Sequence, residues 1–280
     1  MKTISFVNMK GGVAKTTMAV NVADCLATRH GLNVLVIDID PQFNATQCLV
    51  SGDNYKGHIE NSGHTVVDIF DDSPRPVVGT ISGAVTKEPL PTEDVKPLKI
   101  KDKFDLLPGA LELYRLDMTG GQGRENRLKI YIEYLKEQSL YDIVIIDTPP
   151  TPSAWMSSAL IASDFYLVPV KPEPLSVTGI DLLRSIISRV SKNYGLKLSC
   201  AGVVLTIAEE NTKVFSEAKS FIDTNDFWKG KRIKQHLQKR TEVARMQGEQ
   251  KLILDVKDRG LKLALSKIVV EFLSRIGLGE

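Results

Sequence analysis

The stretch Lys2–Thr17 constrains this chain more than any other. Lys2–Asn8 (K-T-I-S-F-V-N) has the β-branched and aromatic density of a strand, Gly11 and Gly12 break it, and Thr16 onward reads as helix. In a strand, glycine loop and helix taken in that order, successive backbone N–H groups turn inward as a nest. The helix start adds partial positive charge, so Asn8–Thr17 (N-M-K-G-G-V-A-K-T-T) attracts a polyphosphate before any side chain is counted. Lys15 then brings a full charge to the β and γ phosphates, and the Thr16 hydroxyl can ligate a divalent cation. A nucleoside polyphosphate and Mg²⁺ are therefore the expected ligands, with Gly11, Gly12, Val13, Ala14, Lys15, Thr16 and Thr17 as the nucleotide-binding set.

The rest of the chain alternates in the same way. Val34–Ile37 is an unbroken apolar run ending in Asp38 and Asp40, Ile143–Ile146 ends in Asp147, and Phe104–Leu107, Asp164–Val170 and Ala201–Thr206 are further strand candidates. Between them lie helical patterns at Met18–His30, closed by Gly31, at Arg127–Gln138 and at Gly179–Val190. Continuous apolar strands separated by helices predict a parallel sheet covered on both faces. The expected fold is α/β: a single P-loop NTPase domain with a mostly parallel twisted sheet flanked by helices on both faces. At 280 residues and 42% hydrophobic content, one domain spanning 1–280 is expected. Ligands in such sheets sit beyond the carboxyl ends of the strands, which gathers the three aspartates beside the glycine loop. Asp147 has the arrangement of a Walker B carboxylate, holding Mg²⁺ through water. From about 51 to 103, Pro74, Pro76, Pro89, Pro91 and Pro97 among charges predict an excursion without its own core, with one short helix at Thr65–Phe70. Gly120, Gly121 and Gly123 lack a preceding buried strand and read as a flexible hinge.

The standard phosphate loop is G-x-x-x-x-G-K-[ST], whereas here Ala14 precedes Lys15 and a second lysine, Lys10, opens the motif. K-G-G-x-x-K-T-T resembles the deviant Walker A motif of the ParA/MinD family of P-loop ATPases. Asp38–Thr46 (D-I-D-P-Q-F-N-A-T) resembles the family's D-x-D-P-Q-x-N signature, and D-T-P-P after Ile146 its switch segment. The resemblance implies that Lys10 reaches across a homodimer to the partner's nucleotide and that Asp40 orients or activates the attacking water. It places Asp38 near the metal and Thr206 close to the adenine. It also implies an ATP-dependent sandwich dimer that binds DNA nonspecifically, hydrolyses ATP to ADP and phosphate, and is stimulated by a centromere-binding ParB-like partner. Such a protein would be cytoplasmic and nucleoid-associated, serving plasmid or chromosome partition. A MinD-like or other cargo positioner, and a metabolic kinase or ligase on the same scaffold, are the rival readings.

Composition narrows the partners. Net charge is only +2, so any nucleic-acid surface must be local. Between Trp228 and Arg245, Lys229, Lys231, Arg232, Lys234, Lys239, Arg240 and Arg245 face one acid, Glu242. Taken alone this is either a phosphate-backbone surface or a solvated rim; the resemblance favours nonspecific DNA. There is no room before the loop for a helix-turn-helix, which argues against operator reading. Leu261–Leu278 forms a last amphipathic helix whose mixed charges favour packing on the sheet over membrane insertion. Cys25, Cys48 and Cys200 form no close pair, so disulfide or CxxC chemistry is not expected.

Overall fold

The computed structural model describes residues 1–71, 75–77, 85–87, 89–119, 123–174 and 176–279. Strand β1 (Lys2–Phe6) leads through the glycine loop into α1 (Lys15–His30), which stops at Gly31 in the left-handed region, and β2 (Val34–Asp38) comes after it. Short helices α2 (Asn44–Leu49), α3 (Gly52–Glu60) and α4 (Val67–Phe70) come next, then a small hairpin of β3 (Arg75–Val77) and β4 (Val85–Lys87). Strands β5 (Leu98–Lys101) and β6 (Phe104–Leu107) precede α5 (Leu113–Thr119), α6 (Arg127–Glu137), β7 (Ile143–Asp147) and α7 (Ala154–Ile161). The remainder is β8 (Phe165–Val170), α8 (Ser176–Tyr194), β9 (Ser199–Leu205), α9 (Lys213–Thr224), α10 (Thr241–Gly248) and α11 (Arg259–Arg275).

Seven strands form one sheet in the order β5-β6-β2-β7-β1-β8-β9, parallel except for β5, which runs antiparallel to β6. Strand alternation divides the core. Ile4, Phe6, Val34, Val36 and Ile145 face α1 and α11, while Leu35, Ile37, Val144 and Ile146 face α6 and α7. Every residue of β2 and β7 is buried, the physical reason their sequences read as unbroken apolar runs. Leu265, Ile268 and Phe272 of α11 lie in the first of these cores, so that helix packs on the sheet as its pattern predicts.

The excursion holds more regular structure than its prolines predict. Thr65–Phe70 does contain the short helix, but α3 and the edge strand β5 have no counterpart in the sequence pattern. Lys101 Nζ lies 2.9 Å from the buried Asp24 of α1 and ties that edge down. Gly120 and Gly121 of the expected hinge lie outside the described residues. No described helix is long and apolar enough to cross a membrane.

Candidate phosphate-binding site

Strand order builds the site. β1 ends at the glycine loop, and β7 and β2 beside it end at Asp147 and Asp38, which are partners in register. Asn8 fixes the loop's entry: its Nδ2 donates to Pro169 O (2.6 Å) and its Oδ1 accepts from Lys10 N (2.9 Å). Gly12 has φ +70°, which a glycine supplies without strain. Ala14 occupies the place of the standard second glycine and is also left-handed, at φ 59° and ψ 34°. The loop thus keeps the glycine geometry with a Cβ present, at a cost of about 1–2 kcal/mol.

A cavity of about 830 Å³ opens over the loop, lined by Gly11–Thr17 on one side and by Asp40, Phe43 and Tyr55 on the other. Lys15 is buried beneath it. Burial lowers its pKa, and the charges of Asp147 and Asp40 oppose that shift. Thr16 Oγ1 donates to Asp147 Oδ2 at 2.7 Å, while Asp147 Oδ1 is buried with no hydrogen-bond partner among the described residues. A carboxylate oxygen so left, beside a threonine hydroxyl, fits a hard cation such as Mg²⁺. Burial raises the pKa of Asp147.

Asp38 is fully buried, and its pKa rises well above the usual carboxylate range through burial and then through Asp147. Its Oδ2 accepts from Thr46 N and Thr46 Oγ1, each at 2.8 Å, and its Oδ1 accepts weakly from Asp40 N at 3.3 Å. Both oxygens therefore brace the turn after β2. Asp40 lines the cavity; burial raises its pKa against the Gln42 N–H and the Lys15 charge.

Thr206 is fully buried and its hydroxyl donates to Val13 O at 2.8 Å, so it supports the phosphate loop from behind. Lys10 is ion-paired with Glu173 of its own chain, which also pairs with Lys171. The basic stretch is distributed rather than massed. Lys229 pairs with Asp226, Arg232 with Asp223, Lys239 with Glu209, Arg240 with Asp258 and Arg245 with Glu242, and Lys231 lies 3.7 Å over the Phe227 ring. Lys234 is exposed.

Sequence reasoning missed Gln247, whose Nε2 donates to Thr17 Oγ1 at 2.7 Å from α10. It also missed Phe43 and Tyr55 on the cavity wall, since an aromatic in a polar turn and another in a glycine-bearing helix carry no phosphate-site pattern. An AAA_31 family model, described as an AAA domain, matches residues 1–200. The chain is 35% identical over 224 residues to the sporulation initiation inhibitor protein Soj of Bacillus subtilis, covering 79% of each. It is 30% identical to the chromosome partitioning protein ParA of Caulobacter vibrioides over 216 residues, 76% of this chain and 72% of that one. Among solved structures, an ATP complex of Cyanothece McdA superposes with TM-score 0.76 at 19% identity, covering 100% of this chain and 98% of that one. A plasmid partition protein from Borrelia burgdorferi gives 0.69 at 20%, covering 98% of both.

Proposed function

Because this chain belongs to the ParA family of P-loop partition ATPases, we propose that it hydrolyses ATP as a dimer-gated switch that positions DNA. The observation that carries this reading is the Thr16–Asp147 pair beneath the glycine loop, with Asp40 on the facing wall of the same cavity. Lys15 binds and neutralises the terminal phosphates. Thr16, and Asp147 through water, would hold Mg²⁺, which when bound supplies further neutralisation of phosphate charge. Asp40 holds and orients the attacking water, accepting its proton at the carboxylate; burial raises its pKa, which makes the ionised carboxylate a stronger base for that step. Lys10 leaves Glu173 and reaches the nucleotide of a second subunit, so that hydrolysis and dimer lifetime are linked.

Residues 1–280 act as one ATPase domain, with 51–103 as a variable excursion. The dimer holds DNA through phosphate contacts that ignore sequence. Lys229, Lys239 and Arg245, with side chains 62%, 56% and 71% exposed, and Lys234 are the best-placed cations, whereas Arg232 is taken up by Asp223. A ParB-like DNA-bound protein stimulates hydrolysis and frees the dimer, which places the protein in the cytoplasm on the nucleoid.

The test combines phosphate release with DNA retention. ATP turnover that disappears in Lys15→Ala and Asp40→Ala, with salt-sensitive retention of random-sequence DNA in ATP but not in ADP, supports the switch. Unchanged turnover in Asp40→Ala removes that residue's role. Retention that survives both added salt and reversal of Lys234 and Lys239 to Glu removes the surface.

A further inference from the structure

Phe43 stands three residues after Asp40, at φ 42° and ψ 42°. For a residue with a Cβ and an aromatic ring this left-handed conformation is strained, and it persists only where surrounding contacts fix it. Three contacts do so. The Phe43 ring stacks on Tyr55 of α3, with centroids 5.5 Å apart and planes at 16°. The Tyr55 hydroxyl donates to Gly109 O at 2.9 Å, which ties α3 to the turn after β6. Gly109 itself is the notch that admits Phe43, because a Cβ there would come within 2.8 Å of Phe43 Cβ and 3.0 Å of Asp38 Cγ.

The same turn carries Asp40. Phe43 N donates to Asp40 O at 2.8 Å, and Gln42 N donates to the Asp40 carboxylate at 2.9 Å. A glycine at 43 would adopt this backbone freely and many others besides, whereas a stacked aromatic leaves the turn few alternatives. Helix α3 buries none of its residues fully, yet its tyrosine reaches the cavity wall. Tyr55 therefore bridges the edge of the main core and the cavity wall.

We propose that Phe43 and Tyr55 are positioning residues, and that the first helix of the excursion clamps the turn so that the Asp40 carboxylate faces the phosphate loop. This rests on the reading of Asp40 as the residue that orients water. Holding a catalytic group in its reactive geometry is worth large rate factors, so a loosened turn lowers turnover while phosphate binding, made by the loop across the cavity, persists.

The test uses the full chain with Tyr55→Ala, Tyr55→Phe, Phe43→Gly and the Tyr55→Ala/Phe43→Gly double variant. Tyr55 is half-buried against the core, so a thermal melt checks that Tyr55→Ala stays folded, and Tyr55→Phe, which keeps that packing, tests the clamp independently. Hydrogen exchange without nucleotide reads the clamp directly: Tyr55→Ala and Phe43→Gly each speed exchange at the Gln42 and Gln47 amides. In steady state each lowers kcat about 10-fold with KM for ATP within about 2-fold, and the double variant is no slower than the slower single one. Tyr55→Phe, which keeps the stack and loses the Gly109 bond, falls between these and the unaltered chain. Unchanged exchange, faster exchange with kcat intact, or losses that add in the double variant would each overturn the proposal. Absence of any hydrolysis by the unaltered chain would instead sink the reading of Asp40, while exchange would still report on the clamp.

Discussion

Glu173→Gln tests whether the lysine that opens the phosphate loop is restrained within its own subunit. Lys10 and Glu173 are paired with side chains 37% and 27% exposed, so water screens them strongly. Exposed pairs of this kind contribute about 0.2–1 kcal/mol. If Lys10 must leave Glu173 to reach a partner's nucleotide, a symmetric dimer loses that contribution twice, about 0.4–2 kcal/mol in all, or about 2- to 30-fold in dimer affinity. Glu173→Gln keeps the side-chain shape and removes the charge. With a non-hydrolysable ATP analogue, sedimentation should show this variant dimerising at about 2- to 30-fold lower concentration, with the advantage shrinking as added salt screens the pair. The pH dependence has a definite sign. Hydrogen bonds from Lys10 and Lys171 hold the Glu173 pKa below its ordinary value. A depressed folded-state value means the pair is intact above the ordinary carboxylate range and is lost only as pH falls through the lowered one. The difference between variant and parent should therefore be flat through neutral pH. Weaker or equal dimerisation of Glu173→Gln, alongside loss of dimerisation in Lys10→Ala, would refute restraint by Glu173. Retained dimerisation in Lys10→Ala would refute the trans-acting lysine itself.

Two further perturbations address the loop and its surroundings. Ala14→Gly relieves about 1–2 kcal/mol of left-handed strain but adds about 0.4–1 kcal/mol of unfolded-chain entropy. Denaturant unfolding should thus show a net gain of up to about 1.5 kcal/mol, and a net loss would mean that Ala14 is not strained. Burial pushes the thiols of Cys25 and Cys200 up to about 11 and that of Cys48, on the cavity wall, up to about 12. Alkylation of the folded protein near pH 8 should therefore be far slower than that of the urea-unfolded chain and should rise with pH. Rapid modification of Cys48 at neutral pH, read by peptide mass mapping, would contradict this.

The parts of the fold and site that are legible in the sequence are those built by local interactions. The phosphate loop, Lys15, Thr16 and the strand-end aspartates can be read because strand, turn and helix preferences act over a few neighbouring residues. Strands buried on both faces read as short, β-branched, unbroken apolar runs, too short for helices. Edge strand β5 (L-K-I-K) is hidden because it is only half buried, comes after Pro97 and lies in a proline-rich stretch. Helix α10 is hidden inside a basic stretch with few apolar residues. The charge of that stretch is legible but its compensation is not, because Asp223, Glu209 and Asp258 that neutralise it come from other elements. The same holds for Glu173, which lies 163 residues from Lys10. A window along the chain counts charges but not the partners that folding brings to them.

The aspartates show where pattern ends and structure begins. Asp38 and Asp147 each close an apolar strand, and register between β2 and β7 sets them side by side in the interior. Burial raises the pKa of each, and the neighbouring Asp147 charge raises that of Asp38 further. The strand pattern assigns Asp147 to the metal, and the family resemblance sets Asp38 near it. Hydrogen bonding separates them: Thr46 saturates one oxygen of Asp38 with its N–H and its hydroxyl, and its hydroxyl in turn accepts from Gly109 N at 2.9 Å. That chain of bonds binds Asp38 to the turn that holds Asp40 and Phe43. Asp147 has Thr16 on one oxygen and, among the described residues, no hydrogen-bond partner on the other. A cation held beside Thr16 would meet the unpartnered oxygen of Asp147, and its positive charge would favour the ionised form of both acids. Asp38, bonded through Thr46 to the turn that carries Asp40, would then link that turn to the cation's charge.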